Sequence, residues 1–165
     1  MSLRGHRFLA LLCLALTLGL AFAHVMEIVG KLRLPGDVWL MVQQNLYVAF
    51  GPPLGAGLEV AAIALTWLVA IRSRERPAAF RWSVAAGILA TLGLVLWGLI
   101  VAPVNTALNG WTPATLPTDW IRWRFRWELG HALHAACLGL AFSALLVSVL
   151  WDVSPGSPGR GSNGN

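Results

Sequence analysis

Three histidines and three glutamates lie in or beside the long apolar stretches of this sequence. They are His24, Glu27, Glu59, Glu128, His131 and His134. Ionisable groups within apolar membrane-spanning segments are costly to bury and usually serve a function. Carboxylates and imidazoles together can take up and relay protons, or can bind a metal ion. The sequence therefore predicts a site built from these side chains.

The elements that carry these residues are four hydrophobic segments, at 8–30, 52–72, 82–103 and 127–151. Each reaches the length of about 20 apolar residues that a helix needs to cross a bilayer. The chain is 57% hydrophobic and only 12% charged, whereas soluble domains carry about 25% charged residues. The composition predicts an all-α integral membrane protein: a four-helix antiparallel bundle over residues 1–151, followed by a disordered tail at 152–165.

An antiparallel arrangement places the end of the first segment, the start of the second, the end of the third and the start of the fourth on one side. We call the residues predicted to meet there the polar layer: the six above and Asn105. Glu59 follows Pro52 by seven residues, which is about 10 Å of helix at 1.5 Å per residue. His131 reaches a similar depth if its segment enters the membrane near Arg124. The groups are therefore expected to meet at one depth.

The net charge of +5 comes from basic residues in the short connections. That position favours a role in membrane topology over nucleic-acid binding. Seven lie on the side of the N-terminus and the middle connection, and five on the other side. The bias predicts both termini in the cytoplasm of a multi-pass cell-membrane protein, with the polar layer outward. Ala21-Phe22-Ala23 resembles a signal-peptide cleavage site, but the apolar run continues past it and favours an uncleaved span.

The first connection is predicted to contain a short helix on the membrane surface. Asp37 follows Pro35-Gly36 and can cap it, and apolar residues recur at helical spacing at Trp39, Val42, Leu46 and Phe50. Trp39, Trp82 and Trp151 are expected in the interfacial aromatic belt.

Several interpretations of the polar layer stay open. In the first, it is a structural network that holds the helices in register. In the second, Glu128-x-x-His131, His24-x-x-Glu27 and Glu59 bind iron or manganese, or else zinc. The two motifs carry their carboxylate and imidazole in opposite order along the chain, so they match the familiar di-iron pattern only in part. A haem held between His24 and His131 is a variant of this hypothesis. In the third, a metal-free substrate pocket, Glu and His act as base and relay, and aromatic walls come from Tyr47, Trp111, Trp120, Trp123 and Trp127. Arg124 shares the His131 stripe and is the candidate partner of an anion or carboxylate.

Short blocks across nearly the whole chain resemble a family of small four-span membrane proteins, some fungal members of which are named anthrone oxygenases. The blocks are Ala23-His24-Val25-Met26-Glu27, Gln43 to Tyr47, Gly57-Leu58-Glu59, Pro103-Val104-Asn105, Pro117 to Trp120 and Arg124 to His131. The resemblance implies oxidation of a tricyclic anthrone to an anthraquinone by oxygen, with no obvious cofactor. Residue by residue, it nominates Asn105, Trp120, Trp127, Glu128 and His131.

The leading prediction is therefore a membrane protein whose polar layer binds, and in an enzymatic version oxidises, a hydrophobic aromatic or quinone-like molecule. Glu128 or Glu59 would take a proton from the substrate, and His131 would relay it. The predicted substrate contacts are His24, Glu27, Tyr47, Asn105, Trp120, Arg124 and Trp127. The alternative is a non-enzymatic binding or scaffold protein. The sequence leaves the oligomeric state open.

Overall fold

The computed structural model describes residues 2–47 and 54–153. Four of its helices are long and apolar enough to cross a membrane: Leu3–Lys31, Leu54–Arg72, Pro77–Leu108 and Trp120–Asp152. The predicted all-α membrane bundle is thus confirmed.

The chain order is α1 (Leu3–Lys31), α2 (Gly36–Leu46), α3 (Leu54–Arg72), α4 (Pro77–Leu96), α5 (Ala102–Leu108) and α6 (Trp120–Val153). A π-helical turn, Trp97–Val101, joins α4 to α5 in one continuous rod, and a single 3-10 turn, Pro113–Thr115, precedes α6. The third span is therefore longer than predicted, and Asn105 lies in it and not in a connection. α1 runs unbroken through Ala21–Ala23.

The four long helices form a ring in which α1 packs on α3 and α6, and α4 packs on α3 and α6. Ion pairs show that α1 and α6 are antiparallel. Arg7 near the start of α1 lies 2.6 Å from Asp152 near the end of α6, while Lys31 at the end of α1 meets Glu128 near the start of α6. Successive spans therefore run in alternating directions, which is the up-down-up-down connectivity of a four-helix bundle.

Asp152 differs from its predicted place in two ways. It belongs to α6 and not to the tail, whose remainder at 154–165 lies outside the described residues. It is also an acidic group at the end of the bundle opposite the polar layer, where it accepts hydrogen bonds from Arg7 and Arg76. Acidic residues therefore lie at both ends of the bundle.

The surface helix after the first span is present as α2, but Asp37 does not cap it. The helix begins at Gly36, and Asp37 lies in its first turn. Gly36 is required by close packing, because a Cβ there would lie 2.5 Å from Leu116 Cδ2 and 2.9 Å from a Trp120 ring carbon. One of the apolar residues predicted at helical spacing, Leu46, is exposed and does not pack against the bundle. Phe50 and Pro52 lie outside the described residues.

Candidate functional site

A small cavity opens between the helices at the level of the polar layer, and we call it the inner cavity. Its polar lining comes from Thr17, His24, Glu59, His131 and His134. Its apolar lining includes Leu20, Leu94 and Trp97. The volume open to the centres of water molecules is about 60 Å³. One water needs about 10–15 Å³ of such space, so a few waters or another very small molecule fit inside.

Glu59 and His134 form a buried pair at this cavity. Glu59 Oε1 on α3 lies 2.8 Å from His134 Nε2 on α6, and both side chains are less than one-tenth exposed. The sequence placed both residues in the polar layer without pairing them. The contact satisfies one carboxylate oxygen and fixes α3 against α6.

His131 is the residue of the cavity wall whose two ring nitrogens both lack a hydrogen-bond partner among the described residues. It is 6% exposed. Its ring packs against the His24 ring at a centroid distance of 4.2 Å and against the Trp127 ring at 4.1 Å, with the ring planes tilted by 43° and 52°. These ring contacts hold the imidazole in place without using its nitrogens. A neutral imidazole has one basic and one donor nitrogen, so His131 can accept a proton from a molecule in the cavity.

A second buried pair, Lys31 and Glu128, lies toward the membrane edge. Lys31 Nζ is 2.9 Å from Glu128 Oε2, and both side chains are about 95% buried. The ammonium also lies 4.4 Å from the centroid of a Trp127 ring, a cation–π geometry. From the sequence, Lys31 was expected only to be one of the basic residues that determine the membrane topology. Its apolar stem and position at the end of α1 allow it to reach back into the bundle.

Glu27 and Tyr47 connect this pair to the chain after α2. The Tyr47 hydroxyl donates to Glu27 Oε2 at 2.5 Å, and the same oxygen lies 3.9 Å from both Lys31 Nζ and His24 Nδ1. Partial burial, followed by the hydrogen bond and the charge of Glu27, raises the pKa of Tyr47 far above its ordinary value. Tyr47 is therefore a phenol, and a donor, throughout the physiological range.

The predicted contacts Asn105, Trp120, Arg124 and Trp127 hold the site in position. The Trp127 indole N–H donates to Asn105 Oδ1 at 2.8 Å. Contrary to the prediction, Arg124 forms no ion pair with a carboxylate of the described residues. It donates to the carbonyl oxygens of Lys31 at 3.2 Å and Leu34 at 3.1 Å, and its guanidinium lies over Trp120. Carbonyls at a helix C-terminus lack intrahelical partners, so Arg124 satisfies the end of α1.

The π-helical turn brings Trp97 into the cavity wall, a position that the sequence did not suggest. Pro103 has no N–H to donate to the carbonyl of Leu99, four residues earlier. Arg126 of α6 donates to that oxygen instead, at 3.0 Å. Gly130 allows the widened turn to approach α6, because a Cβ there would lie 2.5 Å from Val101 Cγ2 and 2.9 Å from Ile100 Cγ2. Turns of this kind are frequent at functional sites.

Most of the predicted aromatic walls pack on one another above the site and do not line the inner cavity. Trp111 meets Trp123 edge to face at 5.5 Å, and Trp120 packs beside Trp39 at 6.0 Å. Trp39 was predicted in the interfacial belt, but it is fully buried. The belt position fits Trp82 and Trp151, which are 43% and 61% exposed. Trp39, Trp111, Trp120, Trp123 and Trp127 belong to one hydrophobic cluster beside the polar layer.

The metal-ligand arrangement is not assembled. Among residues 2–47 and 54–153, no three His, Cys, Asp or Glu side chains come together as a metal-binding group. Glu59 and Glu128 each pair with a different partner. The centroids of the His24 and His131 rings lie 4.2 Å apart with the planes tilted by 43°, which leaves no room for a haem plane between them. The arrangement fits proton transfer better than metal coordination.

Comparison with known proteins adds no relative. The chain matches no protein-family model, no curated protein and no solved structure. The resemblance to anthrone oxygenases therefore stays a prediction that rests on the quoted residues alone.

Proposed function

We propose that this multi-pass membrane protein binds a hydrophobic aromatic or quinone-like molecule at the polar layer and oxidises it with molecular oxygen. The observation that carries the proposal is His131, a buried imidazole that lines the inner cavity and has no hydrogen-bond partner for either nitrogen in the part of the chain that the structure describes. Leaving buried polar groups without hydrogen bonds is costly, and such groups are rare in folded proteins. A role in binding or proton transfer explains why the cost is accepted.

His131 is the proton acceptor in this proposal. Each of the two glutamates first considered as base already has a close partner, Glu59 with His134 and Glu128 with Lys31. The base therefore shifts from the carboxylates to the imidazole of His131, whose two ring nitrogens have no hydrogen-bond partner among the described residues.

The reaction follows the activity that the resemblance implies. His131 takes a proton from the acidic CH₂ carbon of an anthrone, and the resulting carbanion reduces O₂. The carbon loses two hydrogens and gains one oxygen atom, and the second oxygen atom leaves as water. The inner cavity offers only about 60 Å³ to the centres of water molecules, enough for a few waters and not for three fused rings. In this proposal only the reactive carbon and O₂ enter it, while the rings lie outside. Exclusion of water protects the carbanion from reprotonation.

The proposal also includes the orientation. The excess of basic residues beside the N-terminus and the middle connection favours both termini in the cytoplasm of a cell-membrane protein. The polar layer then lies at the outer half of the bilayer.

Oxygen consumption by the detergent-purified full chain with a tricyclic anthrone tests the proposal. We expect His131→Ala to lower the rate by about 100-fold or more, the usual contribution of a general base. Ser143→Ala, an exposed position on the same helix, is the matched control and should keep the full rate. An His131→Ala rate equal to wild type, or wild-type consumption no faster than the spontaneous oxidation, would overturn it.

A non-enzymatic scaffold is the second candidate, because the two buried pairs tie α1 and α3 to α6. The same variants separate the two functions. If His131→Ala lowers the melting temperature as strongly as Glu59→Gln does, the buried groups serve mainly to hold the helices. If it stays folded and loses only oxygen consumption, the site is catalytic.

A further inference from the structure

The first two turns of α6 carry a second polar feature on their outer face. Arg122, Phe125, Arg126 and Leu129 follow i, i+3, i+4 and i+7 spacing, so they form one stripe on the helix. All four are exposed, Phe125 by 64% and Leu129 by 44%. They line a surface depression of about 420 Å³ together with Trp123 and Asp119. We call it the α6 depression.

The α6 depression changes from cationic to apolar along the helix. Arg122 and Arg126 lie one turn apart, with Phe125 between them and Leu129 one turn deeper. Arg126 donates one hydrogen bond to the Leu99 carbonyl. Because a guanidinium has five N–H donors, others remain for a ligand. The Arg122 guanidinium has no hydrogen bond or ion pair within the described part of the chain. Two guanidinium groups with spare donors thus stand directly above an exposed apolar surface.

We propose that the α6 depression binds an anionic phospholipid, with its phosphodiester between Arg122 and Arg126 and an acyl chain along Phe125 and Leu129. Guanidinium groups bind phosphate through paired N–H donors. The carboxylate of Asp119 at the rim leaves one net positive charge, which matches a single phosphodiester anion. The depression lies near the start of the candidate span Trp120–Asp152. In a bilayer, this end of the helix is where lipid headgroups give way to acyl chains, so the arginines would face the headgroup and the apolar residues the chain. This inference does not depend on the proposed oxidation.

Native mass spectrometry of the detergent-purified full chain tests the site, with phosphatidylglycerol and phosphatidylcholine as probes. The wild type should retain phosphatidylglycerol more strongly, since choline cancels the phosphate charge of the other lipid. Each arginine near a membrane surface contributes about 1 kcal/mol, so Arg122→Gln with Arg126→Gln should weaken retention of phosphatidylglycerol by about 30-fold. Glutamine at 126 keeps a donor for the Leu99 carbonyl, which guards against loss of the fold.

The matched control is Arg72→Gln with Arg74→Gln, two exposed arginines at the opposite end of the bundle. It should change retention less than twofold. Equal losses in both double variants, or no preference between the two lipids, would show that only diffuse charge attracts lipid. Phe125→Ala supports an acyl contact if it weakens retention of the lipid, and displacement of the lipid by millimolar inorganic phosphate would overturn the proposal in favour of a free-phosphate site.

Discussion

At the scale of single residues, Tyr47 gives the most direct test of the polar contacts outside the spans. It is the only tyrosine in the chain, so phenolate absorbance reports it alone. Because burial and the Glu27 hydrogen bond raise its pKa, we expect phenolate absorbance to appear at a clearly higher pH in the folded protein than in the denatured protein, where tyrosine titrates at about pH 10.

The sign of the linked stability follows from the same shift. A folded pKa above the unfolded value means that the contribution of Tyr47 is fully present below about pH 10 and is lost as the pH rises toward the folded pKa. Tyr47→Phe should remove this alkaline loss. Half-titration near pH 10 in the folded protein would mean that Tyr47 is neither buried nor bonded to Glu27 in solution.

Sequence patterns located the residues of the site better than their partners. His24, Glu59 and His131 were expected to meet at one depth, and they line one cavity. This could be predicted because helical spacing fixes how far along a span each group lies. Helical spacing could not assign His134 to Glu59 or Lys31 to Glu128, since pairing depends on the rotation of neighbouring helices. Lys31 was overlooked because a charge at the end of an apolar run is usually solvated.

At the scale of elements, the four spans could be predicted because each is a long apolar run. α2 could be predicted because its apolar residues recur at helical spacing. The π-helical turn could not, because it depends on three separate positions. Pro103 frees the Leu99 carbonyl, Arg126 satisfies it, and Gly130 leaves space for Val101. Each residue alone has an ordinary explanation as a kink, a surface charge or a packing point.

The contact between this turn and α6 predicts opposite effects at two glycines of α6. In Gly130→Ala the new methyl group would lie 2.5 Å from Val101 Cγ2. Val101 is fully buried and branched, so it cannot move aside easily. We expect a loss of about 1–3 kcal/mol in the free energy of unfolding, as is typical of overpacked cores.

Gly139→Ala is the control for that substitution. Its Cβ would meet only Leu18 Cδ1, at an ordinary 3.9 Å, and alanine favours the helix by about 1 kcal/mol over glycine. Stability should therefore stay equal or rise. Reversible unfolding in mixed micelles measures both values, and similar effects at the two positions would contradict the close approach of the turn to α6.

At the scale of the whole molecule, ion pairs close the bundle at both ends. Within residues 2–47 and 54–153, the imidazole with two unpartnered nitrogens, His131, lies near the end that carries Lys31 and Glu128. Arg7 and Arg76 hold Asp152 at the end that contains the N-terminus. Lys31 holds Glu128 at the other. Under the proposed function, the substrate would therefore reach the polar layer from one side of the membrane, and the orientation decides which compartment supplies it.

Single cysteines introduced into a Cys13→Ala, Cys137→Ala background test that orientation. Arg33→Cys lies on the side of the polar layer and Arg74→Cys on the side of the N-terminus, and both positions are exposed. If the termini are cytoplasmic, a membrane-impermeant maleimide added to intact cells should label the cysteine at 33 and leave the one at 74 unlabelled until the cells are opened. The reverse pattern would place the inner cavity on the cytoplasmic side, where its substrate would have to come from the cell interior.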